Sequence, residues 1–122
     1  MHSPAHRLTD MDAYVLDEHL IEVVADQGVE VTSAHIQGML EFATGVAREP
    51  RGLLANRKND YSFSFSAMLF ISRCDEFKAV AVVTHGRIMP YISQALLPKN
   101  CSIAFFNNRE EALAWLETKL KM

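Results

Sequence analysis

Two rhythms of apolar residues run along this chain. Ala79-Val80-Ala81-Val82-Val83 and Ser102-Ile103-Ala104-Phe105-Phe106 are short unbroken apolar runs, the pattern of strands buried on both faces. A helical pattern lies between them and another follows. A helix joining two buried strands is the crossover that parallel pairing requires, so the chain reads as α/β. The two runs are expected to be parallel neighbours or nearly so, each buried on both faces, because neither contains a charge. Further upstream, Ala13 to Asp17 and Leu20 to Ala25 flank Asp17-Glu18-His19, polar residues suited to the turn of an antiparallel hairpin at one side of the sheet.

The helical rhythm is clearest after Asp26-Gln27-Gly28 breaks the second run. Thr32 or Ser33 is placed to cap a helix, and Ile36, Met39, Leu40, Ala43 and Val46 follow at three- and four-residue spacing on one face. The helix ends before Pro50, and Leu53-Leu54-Ala55 is a short strand candidate. Tyr61 to Ser66 alternates like a strand, whereas Ala67 to Ile71 reads as helix. A loop through Asp60 and a helix capped by Ser62 or Ser64 is preferred, since a crossover is needed before Val80. Ile88, Tyr91, Ile92, Ala95 and Leu96 mark the next crossover helix, with Pro90 in its first turn and Pro98 as its stop. In the last helix Asn108 and Glu111 have capping-box spacing, and Leu113, Leu116 and Leu120 face inward beside Trp115. The order is ββαβαβαβα, a mixed and mostly parallel sheet. Residues 1–11 form a polar leader expected to fray, and 12–122 a single domain.

Composition narrows the function. About half of the 122 residues are apolar, enough for one core without metal or disulfide support. Twelve basic against fifteen acidic residues, a net charge of −3, with no run of like charge, give no footprint for nucleic acid. The first residues lack the apolar segment of a secretory signal, and no apolar run approaches the roughly 18 residues of a membrane span. A cytoplasmic location is expected. Cys74 and Cys101 have no CxxC spacing and read as small buried thiols.

A hairpin followed by helix–strand units in about 120 residues resembles the STAS domain, the fold of SpoIIAA-type anti-sigma-factor antagonists. The closer likeness is to the short SpoIIAA-like bacterial proteins that share the STAS/SEC14-like fold. It is carried by Gly28-Val29-Glu30-Val31-Thr32, Leu53-Leu54-Ala55-Asn56-Arg57, Lys78-Ala79-Val80-Ala81-Val82-Val83, and the segment from Phe105 to Leu116. The resemblance implies a partner-binding module. In its antagonist members a serine in an Asp-Ser-Ser-Gly motif, at a helix start after the third strand, is phosphorylated to switch partner binding. Here Ser64 is the nearest equivalent, with Ser62 close by. Phe63 and Phe65 stand where the motif has other residues.

Chemistry-bearing residues gather at the expected carboxyl ends of the parallel strands, where ligands of open α/β sheets bind. Arg57 and Lys58 follow the third strand, Thr84, His85 and Arg87 the fourth, and Asn107, Asn108 and Arg109 the fifth. A rim with these cations near helix starts could hold a small anion. The alternative is that these loop residues cap helices and stay solvated. His85 could act as a general acid or base, but no nucleophile is paired with it by spacing. The other histidines lack HxxxH or HExxH spacing, and both GxGxxG and GxxxxGK[ST] are missing, so neither a metal nor a cofactor is expected. Tyr61, Phe63, Phe65 and Phe70 read as packing residues first, and as a lipid pocket or docking groove second. The leading expectation is a non-enzymatic cytosolic interaction module, binding a protein partner or a second copy of itself. Small-molecule or lipid binding by the same fold comes next, and a small enzyme using His85 last.

Overall fold

A six-stranded mixed sheet organises the molecule. The computed structural model describes residues 5–59, 62–72, 76–84 and 101–121. In chain order the first elements are β1 (His6–Leu8), β2 (Met11–Asp17), β3 (Leu20–Ala25), β4 (Glu30–Val31) and α1 (Ser33–Val46). They are followed by β5 (Gly52–Arg57), β6 (Ser62–Phe63), α2 (Phe65–Ser72), β7 (Ala79–Thr84), β8 (Ser102–Phe106) and α3 (Arg109–Leu120). The main sheet runs β1-β2-β3-β5-β7-β8, antiparallel through β3 and parallel from there on. The α/β class and the mixed, mostly parallel sheet therefore form as expected. The crossover predicted over Ile88 to Leu96 lies outside the described residues.

Alternation along the strands sorts the core into two layers. Ile21, Ala25 and Leu53 point to the side of α1 and α2, where Ile36, Met39, Leu40, Ala43 and Ala67 complete the cluster. Leu20, Leu54, Ala79, Ala81 and Val83 point the other way, onto Ala112 and Leu116 of α3. Small residues beneath α3 let the helix sit close. At Gly52 a Cβ would stand 2.8 Å from Leu120 Cδ1 and 3.2 Å from Leu20 Cδ1. The outer part of α3 adds Trp115, tilted against Phe106 at 5.7 Å, with Lys119 Nζ over its ring.

Several elements differ from their sequence pattern. The leader contributes a strand: His6–Leu8 pairs with β2, because Arg7 reaches across the meander to carboxylates of Asp12 and Asp26. The two apolar runs are indeed parallel neighbours, but only one face of β7 is fully buried, and β8 is the edge strand with its residues partly exposed or exposed. Lateral pairing and cover over a face are separate properties, so a run without charges can lie at a sheet edge with its side chains only partly covered. The ambiguous segment before α2 resolves into both patterns. Ser62 and Phe63 pair with Glu30 and Val31 in a two-residue parallel ladder, and the helix begins directly afterwards. Cys101 is half-buried rather than buried, and Cys74 lies outside the described residues.

Candidate functional site

The carboxyl ends of β3, β5 and β7 and the starts of the helices lie at one end of the sheet. Pairing puts Arg57 opposite Thr84, and Asn56 opposite Val83, which in turn pairs with Phe106. Asn107, one residue past Phe106, therefore stands level with Thr84 one strand away and with Arg57 two strands, or roughly 9.5 Å, away. Lys58 and Asn107 are exposed, while Arg57 and Thr84 are half-buried. His85 and Arg87 lie outside the described residues. Alternation divides the predicted rim between two faces: Arg57 and Thr84 fall on the α1–α2 side, whereas Arg109 reaches Glu22 on the α3 side, where Asn56 also lies.

Arg109, expected to contribute a free cation, is instead committed to a carboxylate. Its Nη2 donates to Glu22 Oε1 at 2.7 Å and its Nε donates at 3.2 Å to Oε2, a two-pronged contact between the start of α3 and the middle of β3. Asn56 Nδ2 donates to Oε2 of the same carboxylate at 3.0 Å. Glu22 is only 6% exposed, and the hydrogen bonds from both partners compensate the hydration it gives up on burial. The same hydrogen bonds, with the charge behind them, make the Arg109 guanidinium harder to deprotonate than usual. Its donors serve the fold. Asn56 Oδ1 is buried without a hydrogen bond.

Glu22 was not singled out by sequence reasoning, though a signal existed. It is the one charge inside Leu20-Ile21-Glu22-Val23-Val24-Ala25, and a charge in a buried strand needs a partner. The partner lies 87 positions away, beyond the reach of local pattern.

The helix starts form the second part of this end. Ser64 Oγ accepts the Ala67 amide at 3.1 Å, making Ser64 the cap of α2, and lies 3.0 Å from Ser66 Oγ. Ser62 does not cap: its amide donates to the Val29 carbonyl at 3.1 Å within the short ladder. Asn108 Oδ1 accepts the Glu111 amide at 2.9 Å and caps α3, with Glu110 and Glu111 favourably placed in its first turn. Neither α1 nor α2 carries an acidic residue in its first turn. Because β4 pairs in parallel with β6, the starts of α1 and α2 are brought side by side. Phe65, at the first position of α2, is 71% exposed. Packing was the first expectation for this ring, and the structure places it in solvent instead, since the first turn of α2 projects past the core that Ala67 enters.

Comparison with protein-family models, with curated proteins and with solved structures gives no match to this chain. Among the described residues no group of three or more side chains is placed to hold a metal ion. No described helix is long and apolar enough to cross a membrane.

Proposed function

We propose that this chain is a non-enzymatic cytoplasmic interaction module of the SpoIIAA-like, STAS type, docking a protein partner through the start of α2. The observation that carries the reading is Phe65, a large apolar ring 71% exposed directly after the capping Ser64. Aromatic rings presented this way are characteristic anchors of protein interfaces. In the family this chain resembles, a serine at a helix start after the third strand is phosphorylated to switch partner binding, and Ser64 is its nearest equivalent here. Glu22, Asn56, Arg109 and Asn108 make hydrogen bonds within the fold, so these four side chains serve the sheet and α3, and Phe65 is the group presented to a partner.

The test compares wild type with Phe65→Ser, a change at a solvent-facing position that leaves the thermal melt in place. Both are immobilised and exposed to cytosolic extract of the source organism, with quantitative mass spectrometry of what is retained. A specific protein held by wild type and reduced about tenfold or more by the substitution, the effect of losing a contact of about 1.4 kcal/mol, supports the reading. Sedimentation of the purified chains covers a second copy as the partner. Identical retention profiles together with identical sedimentation overturn it.

A further inference from the structure

The start of α1 is capped by a side chain that can change its charge. In a capping box the residue three positions after the cap is commonly Glu or Gln, whose side chain reaches back to the cap amide. Here that residue is His35. The Thr32 amide donates to His35 Nδ1 at 2.9 Å, and Thr32 Oγ1 lies 2.9 Å from the same nitrogen. On the far side of the ring, Nε2 is 2.8 Å from Asp10 Oδ2.

These contacts select one state of the ring. An amide can only donate, so Nδ1 carries no proton, the ring proton sits on Nε2, and Nε2–H donates a hydrogen bond to the Asp10 carboxylate. The neutral ring thus ties the β1–β2 turn to the first turn of α1, with its side chain 12% exposed. Adding a second proton places a hydrogen on Nδ1, facing the Thr32 amide. The hydroxyl of Thr32 can rotate to accept it. The amide cannot.

We infer that His35 is a pH-sensitive cap, in which the neutral ring holds both Asp10 and the Thr32 amide while the charged ring keeps Asp10 and releases the amide. The charged groups around it fit this division. Asp10, in a turn with φ +59°, stays with the imidazolium as its counter-charge. Its carbonyl accepts the Asp26 amide, and Arg7 of β1 is engaged by Asp26 and Asp12 rather than by Asp10. His6 of β1 rests on Phe42 of α1 at 5.1 Å, and Glu30 of β4 is exposed. Thr32 directly follows β4, so freeing its amide loosens the β4–β6 ladder as well as α1. Histidine is the side chain whose charge changes in the range where this would matter. The inference does not depend on the docking role of Phe65.

Nitrogen-15 NMR of the full chain tests it between about pH 8 and about pH 5, the span of histidine titration. At the upper pH, His35 Nδ1 should resonate as the unprotonated nitrogen and Nε2 as the protonated one. On acidification, exchange of the Thr32 amide, corrected for its intrinsic rate, should accelerate at least about fivefold, the size of one lost cap. His35→Gln, which supplies a capping-box acceptor that does not titrate, should remove that acceleration. A proton on Nδ1 at the upper pH, or the same Thr32 profile in wild type and His35→Gln, overturns the inference.

Discussion

A single glutamate shows how one residue couples distant parts of this chain. Glu22 sits in a strand that otherwise reads as apolar, and hydrogen bonds from Nε and Nη2 of Arg109 and from Nδ2 of Asn56 satisfy it. Removing either end of the pair is not equivalent. Arg109→Ala leaves a buried carboxylate held by Asn56 alone and should cost about 2–3 kcal/mol, below the figure for a fully buried pair because the guanidinium is partly in solvent. Glu22→Gln removes the charge along with the ion pair and keeps an acceptor for Asn56, so about 1 kcal/mol is expected. Denaturant midpoints at equal slope measure both. A larger loss for Glu22→Gln would show that the carboxylate is not what needs compensation.

At the scale of elements, α3 rests on a surface made for close approach. Ala79, Ala81 and Gly52 keep the strands thin beneath it, and Leu116 is fully buried in the resulting contact. Leu116→Ala should cost roughly 2–5 kcal/mol, since β5 and β7 cannot collapse into the space it leaves. Chemical denaturation reads this as a shifted midpoint without a changed slope. An unshifted midpoint would mean that α3 contributes little to the stability of the sheet.

Across the whole molecule, the antiparallel side of the sheet is fastened by charge. Arg7 of β1 spans β2 to reach Asp26 after β3, and its hydrogen bonds, reinforced by its charge, hold the Asp26 carboxyl below the usual range. A carboxyl depressed in the folded state contributes stability above its unfolded pKa, about 3.9, and loses that contribution as pH falls through the lower folded value. Asp26→Asn should therefore melt below wild type by a constant margin above about pH 5, and the two curves should converge in stronger acid. Both groups are solvent-exposed, so salt should narrow the margin. A margin that persists to about pH 2 would assign the effect to something other than this carboxylate.

Period and capping chemistry are local properties, and they determined much of this protein from sequence alone: the hairpin at Asp17, the face of α1 from Ile36 to Ala43, the apolar runs of β7 and β8, the cap at Asn108, and the choice of Ser62 or Ser64 at the start of α2, although Val46, read on the same face of α1, is 39% exposed. Each rests on residues within a few positions of one another. Tertiary structure decided the rest. An uncharged run reads the same in the middle of a sheet as at its edge, so β8 could not be distinguished from β7 by pattern. The polar leader gained a strand only because Arg7 met carboxylates far along the chain, and Arg109 ceased to be a free cation only because folding set it against Glu22. The predicted rim was legible as a set of loop residues following parallel strands. Which face each residue takes, and which of their donors are already engaged, depends on alternation and on contacts between segments that the linear order keeps apart.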